Sequence, residues 1–444
     1  MPSPLALVVL LSAGVGLVPS PPPPSSPPPL TQFFSTLRVG AEKTVTGAHA
    51  SFGRSLAPLG ARADGTRGLL VGSPTASSTQ GKEDGEVSLV YLNTDGSVAS
   101  RTPINADTPG LATLPFDYDN FGDGVGLLGD ISGDGVADLI VGAPGYGVGS
   151  RGAAWVLRMR ADGTVLGDAV IQPGGELDDL DRFGYKVAGL GDVSGDGIPD
   201  AIVGAYLDDD GGPDRGAAYV LFLNVDGSLQ SYTKISSTRG GLTGPLDDAD
   251  WFGSSVAGLG DVSGDGIPDC AVGARQDDDG AADAGAVYVL LLGADGTVVG
   301  ERKLSATRGA LGLVLAAGGA FGDGLGGAGD LEPADGVPDL LVGAHADGGA
   351  TVGAMYLIYL RADGSAKRTV RIGAGDGGLV GPLVPGDFFG FAVAALGGIG
   401  AASGGVPALA VGTLSGRVFV LSMAAVAPPS PPAVSYTHLR AHET

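Results

Sequence analysis

The sequence predicts an all-β fold, a β-propeller built of four-stranded antiparallel blades. Three observations carry that prediction. The segment FGYKVAGLGDVSGDGIPDAIVGA at 183–205 has two near-copies beginning at Phe121 and Phe252, and weaker versions beginning at Phe52, Phe321 and Phe389. These Phe-Gly pairs recur 62 to 69 residues apart across nearly the whole chain, and a near-constant period marks a repeat architecture. Within each period the apolar runs are of strand length and too short for a typical helix. Finally, an Asp-Gly pair starts at Asp95, Asp162, Asp226, Asp295 and Asp363, after the third run of five copies. Glycine accepts the positive φ of a tight turn, so each pair marks a hairpin.

The copy at Phe183 shows each element in turn. The first run, 183–190, is rich in Gly and Ala, which suits the crowded strand nearest an axis. An acidic loop, 192–200, leads to a second run, 201–205. A glycine-rich acidic loop, 207–215, leads to the third run, 217–223. Asp226-Gly227 then turns the chain into a polar and apolar fourth run ending near Ile235. Four-stranded units repeated around an axis make a propeller, whereas a β-solenoid has shorter repeats without this hairpin. Six blades are visible, and a seventh is left open. Segment 34–51 resembles the fourth-run segments elsewhere, such as 230–253, and the last run is a third strand, 417–421. An N-terminal outer strand is therefore expected to complete the last blade and close the ring.

The acidic loop carries the chemistry. Asp192, Ser194, Asp196 and Asp200 fall at loop positions one, three, five and nine, and Ile198 at seven can offer its carbonyl oxygen. Hard oxygen donors at alternate positions suit Ca²⁺. Three carboxylates so close together would repel one another without a cation. The same pattern stands at Asp261, Ser263, Asp265, Ile267 and Asp269, and at Asp130, Ser132, Asp134, Val136 and Asp138. An EF-hand would need Glu at position twelve, where these loops have Val203, Val272 and Val141. The alternative without metal is that Asp merely caps tight turns.

The Phe-Gly start, the Asp-x-Ser-x-Asp-Gly-x-x-Asp loop and the Val-Gly-Ala-Pro at 141–144 together resemble FG-GAP repeats. Such repeats form the seven-bladed propeller of integrin alpha chains and occur in many secreted proteins. The resemblance covers about 37–423. It implies Ca²⁺ in the loop between the first two strands of a blade, and a ligand-contacting face at the opposite end. It carries over to the three full loops. A fourth site, at Asp330, Asp335 and Asp339, has an extra residue around Pro333 that alters its geometry. The first copy keeps only Asp64, and the sixth, 398–407, has no carboxylate, so no metal is expected in either.

The flanks read differently. Residues 1–18 read as a secretory signal, being too short and glycine-broken for a good membrane span. Residues 19–31 form a Pro-rich linker expected to be extended polyproline II. Its Ser-Pro runs resemble those of hydroxyproline-rich cell-wall glycoproteins; a plain spacer is the alternative. The propeller is assigned to 32–424, a second Pro-rich linker to 425–434, and 435–444 resembles translated sequencing adapter rather than native sequence.

Composition narrows the function. The chain has 49 Asp and Glu against 25 Lys and Arg, a net charge of −24, which argues against nucleic acid as a partner. No nucleophile elbow, Cys-His pair or zinc spacing appears, so no enzyme is expected. Of the four His, His49 and His345 read as isolated surface residues, and the single Cys270 as a buried small hydrophobe. The face opposite the calcium loops carries Asp178, Asp179, Asp181, Asp208, Asp209, Asp210, Asp214, Asp247, Asp248, Asp250, Asp277, Asp278, Asp279 and Asp283. Tyr118, Tyr146, Tyr206 and Trp251 stand among them. A protein or glycan ligand is expected there, against the plain reading of a solvated acidic rim. The sequence thus reads as a secreted, calcium-binding propeller for extracellular binding or cell adhesion, located outside the cell or at its surface. The alternative is an accessory propeller of a hydrolase or lectin-like protein.

Overall fold

A computed structural model of the chain describes residues 37–425, apart from 48, 50, 80–82, 114, 333–334, 349–350, 380–381 and 400–405. The expected signal, the first linker, the C-terminal tail and the second linker beyond Ala425 lie outside the described residues.

The strands form six four-stranded antiparallel sheets. No α-helix is present among the described residues; the one helical element is a short 3₁₀ turn, Val148–Ser150. Blade one spans 55–104, blade two 124–171, blade three 187–235, blade four 252–304 and blade five 321–373. In each, the strands lie in chain order from first to fourth. Blade six takes three strands from 392–425, and its outermost strand is Leu37–Thr46. That strand runs antiparallel to Arg417–Ala425, with Lys43 opposite Val420 and Val45 opposite Val418. The ring is therefore a six-bladed propeller closed by the N-terminal strand.

The repeated motif explains how blades meet. Gly204 is next to last in the second strand of blade three, Asp200–Ala205, and a Cβ there would sit 2.0 Å from the carbonyl oxygen of Gly253, the Phe-Gly glycine of blade four. The same close approach closes the ring: a Cβ on Gly412 of blade six would sit 2.0 Å from the Gly53 oxygen at the start of blade one. Glycine is required where one backbone abuts the next in this way.

Each Phe-Gly phenylalanine is fully buried. Five of the six meet an aromatic ring on the third strand of their own unit edge-on: Phe121 with Trp155, Phe183 with Tyr219, Phe252 with Tyr288, Phe321 with Tyr356 and Phe389 with Phe419. Such contacts contribute beyond the area they bury. In blade one the matching third-strand residue is Ser88, and the Arg101 guanidinium lies 4.9 Å from the Phe52 ring instead. The first strands of all six blades line the central channel, through residues such as Leu56, Val125, Val187, Val256, Leu325 and Val393.

Candidate metal loops and the opposite face

The three full loops are built alike. Gly133 and Gly135 both take positive φ, which folds the loop around its first carboxylate. Asp130 Oδ1 accepts the N–H groups of Gly133 at 2.7 Å and Asp134 at 3.1 Å, and Oδ2 accepts that of Gly135 at 2.7 Å. Asp192 and Asp261 hold the same three bonds in their loops. The position-five carboxylates of Asp134, Asp196 and Asp265 each accept the N–H of position seven, Val136, Ile198 and Ile267. Ser132, Ser194 and Ser263 lie between them at position three, half-buried.

Position nine does more than close the loop. Asp138, Asp200 and Asp269 are buried at the start of the second strand. Asp269 Oδ2 accepts Val262 N–H at 2.8 Å and Ser263 N–H at 2.9 Å, while Oδ1 accepts Leu292 N–H at 3.0 Å. Asp138 likewise accepts from Ile131 and from Met159 at the end of the third strand. These aspartates thus pin the loop to the blade.

Burial raises the pKa of each position-nine carboxyl, that of Asp200 to about 6, and the position-five neighbours Asp134, Asp196 and Asp265 add a smaller upward push. Backbone N–H donation, first from Gly135, holds the Asp130 carboxyl below its ordinary range. Asp200 Oδ1 is buried, and Leu223 N–H at the end of the third strand works against the upward shift of its carboxyl. An all-oxygen donor set of this kind fits a hard cation. Among the described residues, no three His, Cys, Asp or Glu side chains already converge as a closed metal cluster.

The weaker loops differ. In blade five Asp339 repeats the anchoring role, accepting from Leu331 and Leu360, and burial pushes it up to about 7. Its companions Asp330 and Asp335 share the loop with Glu332, and Lys367 reaches both Glu332 and Asp335. Asp64 is exposed and bonds Thr66 as an ordinary turn. Most of the sixth loop lies outside the described residues.

On the opposite face much of the acidic rim is neutralised within its own blade. Lys234 of the fourth strand lies 2.8 Å from Asp208 and 2.9 Å from Asp210, and Lys303 makes the same pair of contacts with Asp277 and Asp279 at 2.5 and 3.0 Å. Asp208 and Asp277 are buried, and so are Asp181 and Asp250, which cap their own turns by accepting the N–H groups of Asp178 and Asp247. Asp209, Asp278, Asp178, Asp179, Asp247, Asp248 and Asp283 are exposed, and Asp214 is half-buried. Tyr206 and Trp251 pack on each other at 5.2 Å, and Tyr146 packs on Trp155 at 5.0 Å.

Val314 and Val384 are exposed on this face in the loops before blades five and six, and four more large apolar groups stand together around blade two: Phe116 at 65%, Tyr118 at 58%, Val148 at 91% and Leu180 at 54%. Their loops touch, since Gly145 N–H donates to Asp119 O and Leu180 N–H to Gly149 O. Tyr118 and Leu180 have φ of 66° and 76°. The equivalent positions three residues before the later Phe-Gly pairs are Ala249, Gly318 and Gly386, also at positive φ. A bulky residue in that region is strained.

Sequence reasoning missed the charged mouth of the central channel. Lys186 Nζ donates to Asp123 O at 2.6 Å and Arg54 lies 3.3 Å from Asp123. Arg275 and His345 both pair with Asp323 at 2.9 Å. His345 is therefore a partly buried partner of Asp323 packed against Phe388 and Phe391, not the isolated surface residue expected. The signal was present, because the residues after each Phe-Gly and each Val-Gly-Ala differ from copy to copy while their neighbours repeat. Cys270 is buried, as expected.

The comparisons with known proteins agree with this layout. FG-GAP repeat models match residues 121–157 and 252–290, and a second FG-GAP repeat model matches 177–222. These three segments hold the three full loops. Integrin alpha-5 of Xenopus laevis is 31% identical over 158 residues, 35% of this chain and 15% of the relative. Integrin alpha-IIb of Homo sapiens is 33% identical over 161 residues, 35% of this chain and 15% of the relative. Integrin alpha-7 of Rattus norvegicus is 33% identical over 159 residues, 36% of this chain and 13% of the relative. The matched region is thus a small part of the length of these relatives.

Proposed function

Because the chain is an FG-GAP-repeat propeller similar to integrin alpha chains, we propose that it acts in extracellular adhesion as a non-enzymatic, calcium-stabilised binder of a protein ligand. The ligand docks on the face opposite the metal loops, and the protein works outside the cell or at its surface. No helix among the described residues is long and apolar enough to cross a membrane.

The exposed apolar group around blade two carries this reading. Tyr118 and Leu180 stand in solvent at a backbone conformation that disfavours them, so neither packing nor local geometry accounts for them. A binding role does. The calcium loops serve this surface from a distance. Asp130, Asp134 and Asp138, with their counterparts in blades three and four, would hold the ion with Ser132, Ser194 and Ser263 and the carbonyl of position seven. A bound cation neutralises the crowded carboxylates and ties the first two strands of each blade together.

The test is a Tyr118→Gly/Leu180→Gly variant of the full chain, probed against an array of extracellular matrix and cell-surface proteins. The expected result is at least one ligand bound by the parent and lost by the variant, with the melting temperature unchanged or raised. Equal binding by both proteins would refute this face as the docking site.

A further inference from the structure

In blade five the structure sets a lysine where the other acidic loops leave room for a metal. Lys367 Nζ lies 2.5 Å from Asp335 Oδ2 and 2.6 Å from Glu332 Oε2, and Arg368 lies 3.0 Å from the other Glu332 oxygen. Lys367 stands on the fourth strand, Ala366–Gly373, at a bulge: Leu360 pairs with Ala366 and Tyr359 with Arg368, so Lys367 itself has no partner across the ladder. A bulge re-aims its side chain. The same bulge occurs in every complete blade from one to five, and its residue is Ala99, Leu166, Gln230 and Val299 in blades one to four. The residue that follows is Ser100, Gly167, Ser231 and Gly300, against Arg368 in blade five. Two cations therefore appear at this place in one blade alone, and it is the blade whose acidic loop departs from the repeat. In blade three the corresponding Gln230 and Ser231 line an open recess together with Ser194 and Asp196 of the loop.

We propose that Lys367, assisted by Arg368, is the built-in cation of blade five, so that this loop is held without metal and the chain binds one ion fewer than it has acidic loops. The inference rests on the calcium reading of blades two to four. It accounts for why Glu332 can replace the serine of position three: a second carboxylate here meets a lysine and an arginine rather than a metal already ringed by oxygen. On this proposal Asp330, Asp335 and Asp339, the expected fourth calcium site, hold no ion. Asp330 Oδ1 is buried with no hydrogen-bond partner among the described residues.

The variant Lys367→Gln/Arg368→Ser gives blade five the side chains of blade three, and Lys367→Arg keeps the charge as a control. Calcium stoichiometry would be measured by calorimetry on the full chains. Parent and Lys367→Arg are expected to bind equally, and the double variant to bind one ion more. A double variant that binds no more than the parent overturns the proposal, as does a parent that already fills blade five. No binding by any of the proteins would overturn the calcium reading as well, whereas three ions bound by parent and double variant alike would leave that reading intact and remove only the role given to Lys367.

Discussion

Asp269 Oδ1 accepts the backbone N–H of Leu292 at 3.0 Å, across the blade from the loop that Asp269 closes. The last residue of the acidic motif is therefore both a candidate metal ligand and the fastening between that loop and the end of the third strand. The two roles can be separated by substitution.

In chelator, Asp269→Ala should destabilise the protein by on the order of 3 kcal/mol, because it strips acceptors from three N–H groups in a buried setting. Asp265→Ala removes one acceptor at an exposed site and should have little effect under the same conditions. With calcium present both variants should melt well below the parent. Equal melting temperatures for the two variants in chelator would show that the anchoring bonds contribute nothing.

The phenylalanine of each repeat should be costly to remove. Phe252→Ala empties a fully buried site and breaks the edge-on contact with Tyr288 at 5.4 Å, and about 3–5 kcal/mol of stability should be lost. Denaturant unfolding measures this, and a loss below about 1 kcal/mol would contradict the packing described.

Stability should also depend on pH through the turns before the Phe-Gly pairs. Burial raises Asp119 to about 6, and Asp181 and Asp250 to about 7, from the ordinary 3.8. Groups raised on folding contribute stability that is present below their unfolded pKa and lost as pH rises through the folded value. Asp323 acts in the opposite sense. Burial works to raise it, but Arg275 and His345 outweigh that and hold it at about 2, so its contribution is lost as pH falls toward that value. In chelator the melting temperature should therefore be higher at pH 5 than at pH 8. Asp181→Asn/Asp250→Asn should flatten that fall, and an unchanged slope would contradict the assignment.

Much of the architecture was legible in the sequence. Phe-Gly period, Asp-Gly hairpins and the fourth-strand character of 34–51 are local signals that showed six blades and an N-terminal closing strand, and the structure has six blades closed by Leu37–Thr46 where a seventh had been left open. The loop geometry was legible for the same reason, since Asp192 to Asp200 lie within one short segment. What stayed hidden depends on partners brought in by the fold. Lys234 and Lys303 neutralise Asp208 and Asp277 from the next hairpin, and Lys186, Asp123 and Arg54 meet only because three blades converge on the axis. Position in the loop could not show that Asp269 reaches Leu292, nor that a bulge aims Lys367 at Glu332.

The most direct test of the central claim is thermal unfolding of the full chain in millimolar Ca²⁺ and in chelator, with the ions counted by calorimetry. A ligand of the native state raises the melting temperature. The account predicts a clear rise with calcium, three ions bound, and the loss of one ion in each of Asp130→Ala, Asp192→Ala and Asp261→Ala. An unchanged melting temperature with no ion bound would contradict it, and the acidic loops would then be turns held by their own backbone bonds.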